Sequence, residues 1–346
     1  MSGGWRARGL GGLGPVAAVA GAGVALAAVF ASAQRARGMP LSLSAYHELR
    51  EAAISAVTAV FPARAVGFPV GQWLGHAFLS PPFFFATAAI LLAEWAWPVN
   101  PEQPLLSPSF VHDLVWYLAT IGGFVLVGGW LYEHLRGLYQ AHLRSLGIGV
   151  LPAGPAWLSV LAGIVVGDLF AWLHHLVRHK VRLFWLFHEV HHAQRNLNAW
   201  TNERVHVVDV LIAVSIQTLP LLALGVPTTT AGAYVVAAAW YTRLCHANVR
   251  SHFGFLRHVL VTPQSHRLHH SARPEHADQN FGVIFSVWDR MFGTLSRDVD
   301  VYPETGLTDP TFPVERGYGD VVCLRAFLRQ QIHPFRAMVA LLRKRT

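Results

Sequence analysis

Two short stretches place imidazoles at one spacing. FHEVHHAQRNLN, residues 187 to 198, and SHRLHHS, residues 265 to 271, both contain H-x-x-H-H. On a helix, the i, i+3, i+4 pattern aims three side chains at one point. His175 and His179 sit one turn apart upstream, His246 lies between the triples, and fourteen of the twenty histidines fall between 174 and 276. Imidazole suits Fe, Cu, Zn and Ni alike. A single zinc site takes three or four protein ligands, so His175, His179, His188, His191, His192, His246, His266, His269 and His270 suit two metals better than one. Two metals need two histidine-bearing helical faces, and each triple supplies one. Haem, with one or two axial histidines, leaves the tight triples unexplained. Cys245 and Cys323 form no C-x-x-C motif and no disulfide framework, which suits a reducing compartment. Asp168 stands two turns before His175 on the same helical face, inside an apolar run where a carboxylate is costly. Its expected work is to accept the second ring N–H of a ligand histidine. His47, His76, His112, His134, His142 and His333 read as polar residues near an interface, as do His258 and His276.

The elements that position these residues are apolar. The 346 residues are 53% hydrophobic and 13% charged, with a mean hydropathy of +0.36, against about 25% charged in soluble domains. This composition predicts an all-α integral membrane protein. Spans of about 20 apolar residues are expected at 15 to 33, 79 to 97, 111 to 132, 156 to 177, 207 to 226 and 229 to 245. The first follows Arg6 and Arg8 and ends in ASA, so it reads as a signal peptide or an anchor. Residues 133 to 150 read as an amphipathic surface helix broken by LPAGP. Gly225 and Pro227 turn the last two spans into a hairpin, so the histidines before and after it face one side. That side carries 19 of the 27 Lys and Arg residues, counted from Arg178 onward, which predicts the cytoplasm. The loop from 98 to 110, without Lys or Arg, fits this topology less well. The net charge of +8 is then a positive-inside signature, and nucleic acid is not an expected partner.

The segments DLFAWLHHLVRH, WLFHEVHH, HAN and TPQSHRLHHSARPEHADQNFGVIFSVWDRMFGT together resemble the fatty acid hydroxylase/sterol desaturase superfamily of membrane di-iron enzymes, over about residues 155 to 295. The last segment is also similar to alkylglycerol monooxygenases. The resemblance implies a bundle of transmembrane helices carrying a cytosolic histidine-rich di-metal cap, with the nine histidines above as ligands to two iron ions. It implies three regions: N-terminal membrane and interfacial helices at 1–150, a di-iron catalytic domain at 151–296 and a basic C-terminal tail at 297–346. Leu176 and Ala193 depart from the family pattern, and His174 is extra. RVHVVD (Arg204, His206, Asp209) resembles a family element that makes His206 an outer group, as Asn280 is in the D-x-N-[FY]-G element. His252 is a tenth candidate ligand.

Lipid chains offer C–H bonds without acidic protons or leaving groups, so a cofactor must carry the hard step. The expected activity is hydroxylation or desaturation of a sterol, fatty acyl or alkyl-ether lipid with O2 as co-substrate. With no flavin, haem-attachment or Fe–S motif in the chain, electrons are expected from a separate reductase, ferredoxin or cytochrome. Two other classes compete. A zinc hydrolase would use Glu189 of HEVHH as its base, and a metal transporter would place ligands near the bilayer midplane.

Overall fold

A computed structural model describes residues 80–104, 106–147 and 156–343, with 47, 48 and 51 besides. The expected span at 15 to 33 and His76 lie outside these. The described residues are helical, with three isolated bridges (Pro98–Val249, Leu260–Phe285 and Ser271–Thr305) and no strand longer than these. The helices are α1 (Pro81–Ala96), α2 (Pro108–Ala119), α3 (Val125–Leu138), α4 (Ala156–Lys180), α5 (Arg182–His192), α6 (Val207–Ala223), α7 (Thr228–His246), α8 (Pro263–His269), α9 (Val287–Met291), α10 (Tyr318–Val322) and α11 (Arg325–Arg343).

Local chemistry sets the starts. Ser80, Ser107 and Thr262 each cap a helix that opens with proline, accepting from Phe83, Phe110 and Ser265 N–H respectively. Proline at the first position loses nothing, because its missing N–H would have had no helical partner. Val181 adopts extended backbone between α4 and α5. The long helix therefore breaks once, and His188 to His192 turn back beside His175 and His179.

α4 packs on α6 and α7, and α6 packs on α3. Gly163 and Gly167 allow the α4–α7 approach: a Cβ on Gly163 would lie 2.6 Å from Thr230 Cγ2, and one on Gly167 would lie 3.2 Å from the Tyr234 ring. Small residues four apart are a usual means of close helix contact in membranes.

Among the described residues, Trp157–Lys180 is the one helix long and apolar enough to cross a membrane; Pro81–Ala96 and Val207–Ala223 are apolar but shorter. The hairpin turns where expected, with Gly225 at φ 78°. The expected boundary at 132/133 is absent. α3 continues to Leu138 and a π turn carries on through Leu143, while a second π turn, Thr120–Phe124, sits at the Gly122–Gly123 pair. No proline interrupts Trp130 to Leu143, so nothing stops the helix.

The segment after 297 is no free tail. Arg267 Nε donates to Pro303 O, Ala272 N donates to Glu304 O, and Gly306 N donates to His270 O. α11 then packs on α5 and α2. Trp116, Val190, Ala193 and Phe312 form one core cluster across these elements.

Candidate metal centre

Four helices deliver the histidines. α4 brings His175 and His179, α5 the first triple, the last residue of α7 is His246, and α8 with its cap residue His270 brings the second triple. All nine converge, but not as one triple per metal. His175, His179, His188, His192 and His269 form a first group, and His191, His246, His266 and His270 a second, each with its ligand atoms within 4.8 Å of one another. In each triple, residues i and i+4 join one group and i+3 joins the other. On a helix, i and i+4 stand about 40° apart while i+3 lies about 60° to the other side. A triple placed between two metals therefore divides in this way. The groups share a wall, with the His192 and His270 rings stacked at 4.3 Å.

The ring nitrogens of both groups could hold metal. His175 Nδ1 lies 2.9 Å from Phe281 O, His269 Nδ1 2.8 Å from Gln279 O and His246 Nδ1 2.7 Å from Thr242 O. A carbonyl only accepts, so each Nδ1 carries the hydrogen and the Nε2 lone pair is left facing inward. All five Nε2 atoms of the first group are buried without a hydrogen-bond partner, as are both nitrogens of His270. In the second group His246 Nε2 lies 3.0 Å from His191 Nε2 and 2.9 Å from His266 Nε2. With its hydrogen on Nδ1, a neutral His246 donates to neither through that atom and can only accept from one of them. So many orphaned buried nitrogens would be costly in an ordinary core, and two bound cations would satisfy them. Burial, reinforced by neighbouring imidazoles and Arg178, holds His188, His191, His192, His266, His269 and His270 well below the usual histidine range. They are neutral, which is the ligand form.

The outer contacts differ from expectation. Asp168 accepts from Tyr234 Oη (2.9 Å), the backbone N–H groups of Ile284 and Phe285 (3.0 Å each) and Trp288 Nε1 (2.9 Å), and from no histidine. Its position two turns below His175 faces the returning 281–288 segment instead of the ring. It acts one step removed, because that segment carries the Phe281 carbonyl that orients His175. Asp289 clamps the same segment through Phe281 N and Gly282 N, both at 2.8 Å. The carboxylate beside a histidine of the groups is Asp209, which accepts from His188 Nδ1 at 2.9 Å and Arg178 Nη1 at 2.7 Å.

His206 does not reach a ligand. It caps α6 by accepting from Val208 N–H, and its Nε2 lies 3.1 Å from Gln331 O. RVHVVD thus supplies its outer group three residues later than expected. Asp278 stands 3.6 Å from His179 Nδ1; His179 at this distance and the hydrogen bond from Lys180 hold its carboxyl at about 2. Neither Asp209 nor Asp278 was identified as a histidine partner from sequence. For Asp209 the signals were a carboxylate in an apolar run and its place at the end of RVHVVD; for Asp278 there was none. Asn280 donates to Ser265 O at 2.9 Å and accepts from Ser296 N at 2.8 Å, fixing the start of α8 rather than a ring.

Other candidates fall outside both groups. His252 lies 3.3 Å from Asp300. His174 contacts Arg178 at 2.8 Å and Gln217 at 2.7 Å. His112 is no interfacial residue: it is fully buried, 3.3 Å from Glu315. His276 is also buried, between Ser271 Oγ and Asp298. Glu189, the base that a hydrolase reading requires, faces α11 at ion-pair distance from His333, 3.3 Å, without hydrogen-bond alignment.

Asp209→Asn keeps every ligand but removes the carboxylate behind His188. Metal affinity is expected to fall about 10- to 100-fold, read by chelator competition on purified protein. Unchanged affinity would show that the Asp209 contact does not support the ligand.

Residues 160–294 match the fatty acid hydroxylase family model. The chain is 29% identical over 141 residues to the ornithine lipid hydroxylase OlsE of Rhizobium tropici, covering 41% of this chain and 43% of the relative. It is 32% identical over 162 residues to the alkylglycerol monooxygenase of Danio rerio, covering 46% and 35%. It is 29% identical over 181 residues to the cholesterol 25-hydroxylase of Rattus norvegicus, covering 48% and 58%. The matches therefore span less than two thirds of each relative. No solved structure matches the chain. Residues 160–294, over which the chain is similar to the fatty acid hydroxylase family, hold all nine histidines of the two groups.

Proposed function

We propose that this protein is a membrane-bound non-haem di-iron oxidoreductase that uses O2 and externally supplied electrons to hydroxylate a lipid. The observation that carries the reading is the pair of buried all-histidine groups, five and four residues, with orphaned inward nitrogens. Relatives named as hydroxylases or monooxygenases of an ornithine lipid, an alkylglycerol and cholesterol support it. Desaturation of the same substrate class is the neighbouring outcome.

Two irons, when bound, supply the reduction of O2 and the oxidation of an unactivated C–H bond, chemistry that acid–base side chains lack. One oxygen atom enters the C–H bond and the other leaves as water, with electrons and protons delivered from a separate reductase, ferredoxin or cytochrome. The chain's own residues bind and orient. The nine imidazoles would hold the ions, while Phe281 O, Gln279 O, Thr242 O and Asp209 keep four of the rings at fixed angles. Val190, Leu268 and Phe281, each almost fully buried, exclude water beside the ligands. α4 crosses the bilayer and delivers His175 and His179 at its end, with the histidines on the cytoplasmic side and shorter apolar helices completing a multi-pass bundle.

The test is comparative lipid mass spectrometry of cells with and without the gene. A lipid gaining one oxygen is the expected result, and loss of two hydrogens would make the enzyme a desaturase. An unchanged lipid profile in cells holding metal-loaded protein and a competent electron donor would overturn the reading.

A further inference from the structure

α11 carries apolar side chains on two opposite faces. Ala326, Gln330 and Pro334 are buried, and Phe327 packs edge-on against Trp116 at 4.7 Å between ring centres. The other face is largely open: Leu328, Ile332, Phe335, Val339 and Leu342 are between 43% and 60% exposed, with one edge of the Phe335 ring meeting Phe187 at 5.4 Å and His206 at 5.7 Å between ring centres. At about 100° per residue these five fall in an arc roughly 80° wide, opposite the buried face. Arg325, Arg329, Arg336 and Arg343 run along one border of that arc, and no Asp or Glu occurs between 325 and 343. Arg329 is held by Asp320, Nη1 to Oδ1 2.7 Å. Exposed Tyr318, Val322 and Leu324 extend the apolar surface beyond the start of the helix.

A surface helix in water turns its polar side outward. Single exposed apolar residues are ordinary, but a continuous stripe with a row of cations along its edge has the form of a helix lying in a membrane interface. An acidic protein would engage the arginines while leaving a narrow apolar stripe to fill. A bilayer takes both, with aliphatic side chains at the acyl boundary and guanidiniums at the level of the phosphates.

We infer that α11 lies flat on a bilayer surface bearing anionic headgroups, with the Leu328–Leu342 stripe immersed and its arginine border on lipid phosphates. The inference rests on the membrane part of the proposed function and adds a second attachment, distinct from α4. The C-terminal region is then a lipid-composition-sensitive strap over α5, against which it packs.

The test uses the full chain in nanodiscs with Cys323→Ser, since Cys323 is exposed and Cys245 buried. Single cysteines at Leu328, Phe335 and Leu342 carry an environment-sensitive fluorophore, with one at exposed Arg297 as the aqueous reference. Nanodiscs contain phosphatidylcholine with or without phosphatidylserine. The expected result is quenching of the three stripe labels by nitroxide-bearing lipid and protection from iodide, both stronger with phosphatidylserine. Arg336→Gln combined with Arg343→Gln is expected to remove the dependence on phosphatidylserine. Stripe labels quenched by iodide as fully as the Arg297 reference in both bilayers would overturn the inference. So would protection that appears only when an acidic electron carrier is added. Carbonate extraction of native membranes separates the two failures. A chain washed off fails the membrane reading itself, whereas a retained chain with its stripe in water fails only this inference.

Discussion

His246→Ala is expected to reduce bound metal from two ions per chain to one and to abolish turnover. His246 Nε2 sits between His191 and His266, at 3.0 and 2.9 Å. It is the one member of the second group that comes from neither triple. Removing it leaves three imidazoles for that ion, whereas the five of the first group keep all their members. His192→Ala leaves the first group four imidazoles, as many as the second group has, and is expected to keep both ions while lowering turnover. Elemental analysis and turnover of purified, folded protein read both, with exposed His142→Ala as the unchanged control. If His246→Ala retains full metal and both variants keep near-normal activity, the histidines are not metal ligands.

Arg204→Met is expected to cause the largest loss of stability of any single change away from the histidines. Arg204 is fully buried, with Nη1 3.1 Å from Asp113 Oδ1 and Nη2 3.1 Å from both Glu315 Oε2 and Gln330 Oε1. Burial alone would raise the Glu315 carboxyl, but Arg204 and His112 hold it far below the usual range. Gln194, Asn198 and Thr201 also donate to Asp113 at 2.7 to 2.9 Å. One guanidinium thus joins α2, the loop after α5, the 312–316 segment and α11. Removing one partner of a buried ion pair costs about 3–5 kcal/mol, because the remaining charges lose their compensation. A lowered melting temperature in detergent is the measurement. Adding Asp113→Asn and Glu315→Gln is expected to recover part of the loss, since the uncompensated charges go with them. A melting temperature equal to that of the unchanged protein would show the network to be energetically idle.

These two sites differ in how far they could be read without coordinates. The nine histidines were legible because each spacing is local. Residues at i, i+3 and i+4 share a helical face whatever the surrounding fold, and apolar runs mark the helices that carry them. The hairpin turn at Gly225 and Pro227 was legible for the same reason. Helix limits were less so. α1 and α6 stop at 16 and 17 residues, and α3 runs past its expected end because propensity alone does not mark a membrane boundary.

Arg204, by contrast, gave no local sign. Its partners lie 91, 111 and 126 residues away in the chain, and a guanidinium in the short RVHVVD stretch looks the same paired or solvated. Asp168 shows the limit from the other side. Its cost in an apolar run announced that it had work, but its partners lie 66 to 120 residues distant, and only the return of the 281–288 segment selects them over a histidine.

The amino-acid sequence by itself determined which histidines share a helical face, the helical class and the common side of the two triples, all consequences of period and hydropathy. Tertiary structure decided the division of the histidines into five and four, the carboxylate behind His188 and the docking of the C-terminal helix. Those depend on the angles at which α4, α5, α7 and α8 meet, and such angles are set by packing between elements rather than by any residue's neighbours in sequence.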